Sequence, residues 1–248
     1  SDVRDPVVEL QRIRARRVLP ESRASLFPTS PLTPLRAGVV RLENRVYEAT
    51  DIEFGTAVNH LFQQLTDVIP GADNFGMSSA MTLVGTWDLY NKGCPNQGEL
   101  TLGIDGRWGY GLPFPADLGP DSLGSLGFTA NQFSEYRPAF IVRNLFWRQG
   151  SREAGWMYRI GRITPDAMLN SSAHINGLTT YHPVGGSGPF AMGLPDSGLG
   201  MAAGVFVNDR VNVMGLVSDA NADRFDFGDI DEGDLFVAGE IHIKVFPL

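Results

Sequence analysis

The sequence predicts an all-β fold: a transmembrane antiparallel β-barrel with a short N-terminal helical arm. Three observations carry that expectation. Apolar residues recur at every second position in four separate stretches, the period of a strand with two different faces. Short turns alternate with long Gly/Pro/Asp/Ser-rich connections, around residues 111–130 and 164–200. Trp and Tyr stand at the strand ends of the apolar face, at Trp108 and Tyr110 and again at Trp156 and Tyr158. Amphipathic rings favour such positions at a membrane boundary.

The elements follow in order. Residues 1–35 read as an arm. Val7, Leu10 and Ile13 recur at helical spacing from Pro6 to Leu19, with Pro20 as the stop, and Pro28, Pro31 and Pro34 make an irregular linker. Residues 36–248 read as the barrel region. From Gly38 to Glu48, Val40, Leu42 and Val46 oppose Arg41, Glu43 and Arg45, which predicts a strand of weak alternation. The clearest strand is Leu100 to Tyr110, where Leu100, Leu102, Ile104, Trp108 and Tyr110 share one parity and Thr101, Gly103, Asp105, Arg107 and Gly109 the other. Trp156, Tyr158 and Ile160 repeat the pattern against Met157, Arg159 and Gly161. Leu235, Val237, Ile241, Ile243 and Val245 do so against Glu240, His242 and Lys244. Further strands are expected over Thr50 to Phe62, Ser79 to Tyr90, Ala139 to Arg148, Met201 to Asn208 and Val211 to Ser218. The last two make a hairpin around Asp209 and Arg210 that lacks the preferred turn glycine.

Composition removes several classes. With 29 Gly, 16 Pro and only 19% charged residues, the chain is neither a coiled coil nor a charged disordered tail. A formal charge of -8 argues against nucleic-acid binding, which draws on basic residues facing phosphate. Cys94 is the sole cysteine, so no internal disulfide forms, and no Cys/His spacing suggests zinc. No apolar run is long enough for a transmembrane helix, but a barrel needs alternation and not a continuous run. The absence of an initiator Met and of a signal peptide fits a processed chain or a trimmed one.

Were the strands to close in a membrane, the face opposite the apolar one would line water. Arg41, Glu43, Arg45, Asp105, Arg107, Arg159, Arg162, Glu240, His242 and Lys244 are the candidate pore-lining or solute-contacting residues. Both signs of charge occur, so a strongly ion-selective filter is not indicated. Mixed charge beside aromatic rings suits neutral polyhydroxyl solutes.

The stretch Tyr158 to Asn170, YRIGRITPDAMLN, resembles a segment of the carbohydrate-selective outer-membrane porins of the OprB-like type. Met81 to Tyr90 and Gly98 to Gly111 are similar to that family's paired early strands, and Gly239-Glu240 to its mid-barrel region. The similarity runs loosely from about Gly38 to the C-terminus. It implies a passive diffusion channel for sugars or other small neutral solutes in a Gram-negative outer membrane, with outer-membrane lipid as a partner and ion transport as an associated activity. Arg159, Arg162 and Glu240 match the basic and acidic positions that would orient solute. Such barrels have about 16 strands, whereas this chain supplies roughly nine to eleven and lacks a terminal aromatic residue. The expectation is therefore a partial record of a longer barrel, with the missing strands or a homo-oligomer completing it.

Competing readings are fewer. No nucleophile elbow, HExxH or Walker loop occurs, Gly185-Gly186-Ser187-Gly188 is flanked by Pro183 and Pro189, and His174 and His182 have no ligand-like companions. The chain is thus read as a non-enzyme without a cofactor. Asp105 and Glu240 would serve glycoside cleavage only if held close together. Asp219, Asn221 and Asp223 alternate as calcium ligands do, but the bidentate Glu is missing, so an acidic turn is preferred over a structural calcium. The alternative function is a secreted or periplasmic all-β carbohydrate-binding or surface-assembly module.

Overall fold

The computed structural model describes residues 33–115, 117–124, 139–165, 169, 194–223, 225, 227 and 233–243. Helix α1 (Thr33–Thr50) leads into eight strands: β1 (Ile52–Gln64), β2 (Phe75–Tyr90), β3 (Gly98–Gly109), β4 (Ala139–Ser151), β5 (Trp156–Ile163), β6 (Gly198–Phe206), β7 (Val211–Asp219) and β8 (Leu235–Ile243). A short helix, α2 (Leu118–Leu123), lies between β3 and β4. Each strand pairs antiparallel with the next, so the sheet order is the chain order, β1 to β8.

The sheet is open. β1 and β8 stand at opposite ends of the order, and the described residues supply no strand that joins them. This overturns the expected transmembrane barrel and what followed from it. A channel requires a closed wall, and strand edges left open in hydrocarbon have no hydrogen-bond partners. Passive diffusion of sugars or ions, a Gram-negative outer-membrane location, lipid as a partner and completion by further barrel strands or a homo-oligomer all rested on closure. No helix among the described residues is long and apolar enough to cross a membrane.

Eight expected strands lie where alternation or apolar character placed them, within a few residues. The ninth does not. Residues 38–48 belong to α1, and the packed positions there are Glu43, Val46 and Tyr47, spaced as one face of a helix. The apolar parity there is broken at Asn44, and the charges that mimicked a strand face are Arg41 and Arg45, both exposed on α1. The helical arm expected over Pro6 to Leu19 lies outside the described residues.

Register divides the side chains into two sets. One row runs Glu53, Thr86, Thr101, Phe146, Gly161, Gly200, Ser218 and Phe236 across all eight strands, each opposite the next. This inner face is the buried one. Over β4–β7 it carries an apolar core of Phe146, Ile163, Ala202 and Leu216, with Met214 and Phe236 against it. Over β1–β5 it is polar, with Glu99, Thr101, Asp105, Asn144 and Arg159 all buried. The outer face is apolar and open: Phe140 and Val237 are each 72% exposed, and Phe62, Ile160, Ile241 and Ile243 are exposed beside them. An antiparallel sheet with one solvated face ordinarily turns its polar parity outward, and this one turns it inward.

Loops close over the inner face at one end. Phe114 and Leu118 are buried there, and Gly76 and Gly109 leave the room: a Cβ on Gly76 would meet the Pro113 carbonyl at 2.7 Å and one on Gly109 the Phe114 ring at 3.0 Å. The other end has only short turns. Between β6 and β7, Asn208 replaces the missing glycine by chemistry, its Oδ1 accepting the N–H groups of Arg210 and Val211 at 2.8 and 3.0 Å. A bulge between β3 and β4 at Gly103/Ile104 makes the register skip Arg143, whose guanidinium donates to Asp105 at 3.2 Å.

Phe146 is 2% exposed at the centre of the inner core. Phe146→Ala is expected to destabilise the fold by about 3–5 kcal/mol, through lost burial and the cavity left behind. A fall in urea midpoint at unchanged slope checks this; an unchanged midpoint would remove the inner face as the core.

Candidate functional site

The short-turn end of the inner face holds a cleft of about 460 Å³. Three chain segments build it. Its floor is the polar half of the sheet, with Glu53 on β1, Thr86 and Asp88 on β2, Glu99 on β3 and Arg148 on β4; its rim is the 93–97 turn and the β4–β5 hairpin with Arg152 and Glu153.

The β2–β3 turn is fixed from within. Gln97 accepts the Gly93 N–H at 2.7 Å and donates to Asp88 at 2.7 Å, while Cys94 is held in the same turn with its side chain exposed. Gly150 then brings the β4–β5 hairpin against it. Its φ of 90° is one that residues with a Cβ rarely adopt, a Cβ there would collide with the Trp156 carbonyl, and its N–H donates to Gln97 O at 3.1 Å. Arg152, on the hairpin tip, reaches the Asp209 carbonyl of the β6–β7 turn.

On the far side of the rim, α1 is tied down by its last turn. Tyr47 donates to Asp88 at 3.3 Å, and Asp51 is linked to Lys92, whose ammonium also lies 5.1 Å from the Tyr47 ring. The hydrogen bond and charge of Asp51 raise the Lys92 pKa above its ordinary 10.5. A raised lysine pKa contributes below the unfolded value and is lost as pH rises through the folded one, so this tie holds throughout the neutral range.

Glu99 and Arg148 form the charged centre of the floor, Nε to Oε1 at 2.8 Å with both side chains largely buried. Thr86 and Thr101 are cross-strand neighbours beside them. Thr86 is 6% exposed and Thr101 fully buried, and among the described residues neither hydroxyl has a hydrogen-bond partner. An unpaired buried hydroxyl costs about 1–3 kcal/mol. Thr86 lines the cleft and is the one a ligand would meet.

The sequence-derived candidates are distributed differently from this cleft. Arg159 is buried on the inner face of β5 with its guanidinium 5.3 Å from the Phe146 ring, and it lies opposite Arg148. Arg162, 1% exposed, is structural: it donates to the Val142 carbonyl at 2.6 Å and the Asp223 carbonyl at 3.0 Å, and packs against Phe227. Asp105 holds Arg143 and Arg107 in a second polar cluster, joined by the Thr82 hydroxyl. Glu240 and His242 sit on β8, with four strands between them and Asp105, so the acid pair considered for glycoside cleavage is not adjacent in the sheet. Arg41, Glu43 and Arg45 are on α1, and Lys244 lies outside the described residues, as do His174, His182 and the 185–188 glycines. The lumen all ten were expected to line is not formed. No group of three or more potential metal ligands occurs among the described residues, and Asp219 instead accepts the Asn221 N–H in a turn.

No family model, no curated protein and no solved structure matches this chain. The resemblance to carbohydrate-selective outer-membrane porins is thereby overturned together with the barrel. The segment that carried it, Tyr158 to Asn170, is explained locally: the strand β5 ends where Arg162 is buried and Thr164 bonds Ser197 at 2.8 Å.

Sequence reasoning missed Thr86, Glu53, Asp88 and Glu99. It also missed a polar island on the apolar outer face, where His60 Nδ1 lies 2.6 Å from the buried Ser79 hydroxyl and 3.1 Å from Tyr110 OH. The available signal was polar residues at the apolar parity of β1 and β2.

Arg148→Ala removes the guanidinium that the buried Glu99 carboxylate meets at 2.8 Å and is expected to cost about 2–4 kcal/mol. Arg152→Ala, at the exposed rim, is expected to stay within about 0.5 kcal/mol. Thermal or chemical denaturation of both variants checks the contrast, and equal losses would contradict it.

Proposed function

We propose that the chain is an all-β binding module whose inner-face cleft takes a small polyhydroxylated solute of the carbohydrate class, without chemistry on it. The observation that carries this is the Thr86 hydroxyl, buried at the cleft wall without a partner among the described residues. Around it stand carboxylates, two guanidiniums and the Gln97 amide, groups that accept from and donate to hydroxyls. Among the described residues no aromatic ring lines the cleft, so hydrogen bonds and not stacking carry the affinity in this reading.

Thr86→Val separates binding from folding. It keeps the shape and removes the unpaired hydroxyl, so stability is expected to hold or rise by up to about 1 kcal/mol. Binding of mono- and disaccharides, followed by titration calorimetry on the full chain, is expected to weaken about tenfold. Undiminished binding by the variant, or no binding by the parent to any sugar, contradicts the proposal.

The outer face supports a second reading, a surface-assembly module. Among the described residues Phe62, Phe140, Ile160, Val237, Ile241 and Ile243 are exposed on this face, the kind of apolar surface through which chains associate. Phe140→Lys combined with Ile241→Lys is expected to abolish concentration-dependent association in sedimentation velocity while leaving sugar binding intact. Association that persists in the double variant counts against this reading.

A further inference from the structure

We infer that α1 is coupled to the cleft through Asp88, so that docking of the helix and occupancy of the cleft by a polyhydroxyl solute favour each other, with Tyr47 as the positioning residue. The inference rests on the proposed binding role of the same cleft and concerns its regulation. Asp88 is the residue that both parties share. It lines the cleft, and it also holds the end of α1: its Oδ2 accepts the Tyr47 hydroxyl at 3.3 Å and its N–H donates to the Asp51 carbonyl at 3.2 Å.

The helix buries little of itself. From Arg41 to Thr50, Glu43 is buried, Val46 and Tyr47 are half-buried and the rest are exposed. The helix stops at Asp51, whose φ of 58° turns the chain sharply into β1 and whose N–H still reaches the Tyr47 carbonyl at 2.8 Å. The Asp51 carboxylate is linked to Lys92 on the β2–β3 turn, and the Lys92 ammonium lies 5.1 Å from the Tyr47 ring. Gln97 fixes the same turn from the cleft side, accepting from Gly93 and donating to Asp88 Oδ1, both at 2.7 Å. Asp88 therefore stands between the helix and the cleft rim. An element with so few buried contacts opens locally at low free-energy cost, which leaves its docking within reach of a ligand.

The sign of the coupling follows from the geometry of one carboxylate. A carboxylate offers about four acceptor sites. Gln97 takes one on Oδ1 and Tyr47 one on Oδ2, which fixes the plane of the group and leaves it able to accept a solute hydroxyl as well. With α1 undocked, Oδ2 loses that donor and the carboxylate turns more freely, so a solute must order it on binding. Docking removes that cost in advance. By linkage the solute returns the same factor to the helix. Tyr47, Asp51 and Lys92 do not line the cleft, so they act on the solute through Asp88 and not by touching it.

The test joins titration calorimetry to amide hydrogen exchange on the full chain, with glucose and maltose as the probes. Tyr47→Phe keeps the ring beside Lys92 and removes the hydroxyl. It is expected to weaken binding of both sugars about fivefold, with the urea midpoint nearly unchanged. Saturating maltose is expected to slow exchange across residues 33–50 about fivefold in the parent, and much less in Tyr47→Phe. Asp51→Asn removes the charge that Lys92 meets and suits a left-handed backbone, and it is expected to reduce both effects in the same direction. Sugar binding that Tyr47→Phe leaves intact, or that leaves exchange in α1 unchanged or faster, overturns the coupling while the polyhydroxyl site stands. A parent that binds neither sugar removes the site and the coupling together. Weaker binding in Tyr47→Phe with undiminished protection of α1 by maltose also overturns the inference, because Tyr47 would then support Asp88 only locally. An Asp51→Asn variant that matches the parent in both readouts counts against it too.

Discussion

Everything in this molecule depends on the antiparallel register, because the register decides which parity of each strand is enclosed. Side chains alternate with a period of two, so a slip of a single residue would exchange the faces of a strand along its whole length. Here the enclosed parity is the one that holds Glu99, Thr101, Asp105 and Arg159, and the apolar parity faces out. Burying so much polar surface is tolerable only if its groups are paired, and the Glu99–Arg148 and Asp105–Arg143 contacts pair them across strands, where only one register brings the partners together. The bulge at Arg143 contributes to the same end by placing that guanidinium beside Asp105.

The polar and apolar halves of the inner face divide the work of the fold. Phe146, Ile163, Ala202 and Leu216 supply a small but continuous core under β4–β7. The polar half could not fold on burial alone, yet it shares strands β4 and β5 with the core and so inherits its position. That arrangement allows a cleft with a partnerless hydroxyl to persist, since the cost of Thr86 is carried by packing elsewhere in the sheet.

Much of this was legible in the sequence, and the limits have physical causes. Leu100 to Tyr110 announced β3 because a long strand gives alternation enough repeats to exclude a helix. Residues 38–48 gave too few repeats, and exposed arginines on a helix imitated the polar parity of a strand. Closure was illegible for a different reason: alternation reports that a strand has two unlike faces, and an open sheet and a barrel share that property. Parity also says nothing of which face is covered, which depends on loops such as the one carrying Phe114 and Leu118. The cleft residues were hidden because Glu53, Thr86, Asp88 and Glu99 sit on three strands and meet only through the β1–β2 and β2–β3 registers.

The two ends of the sheet differ in a way that bears on how the chain can change over time. At one end the connections are tight turns whose atoms are nearly all committed, with Gln97 bonding both ways, Gly150 at a φ that favours glycine and Asn208 closing its hairpin. At the other, long segments separate β3 from β4, β5 from β6 and β7 from β8. Outside the packed stretch around Phe114 and Leu118, added length at the long-loop end is tolerated, because closure entropy grows only slowly with length. The turn end admits almost no such variation, so the cleft sits on the part of the architecture least free to drift, and lineages of this fold would diverge at one pole while retaining the chemistry of the other.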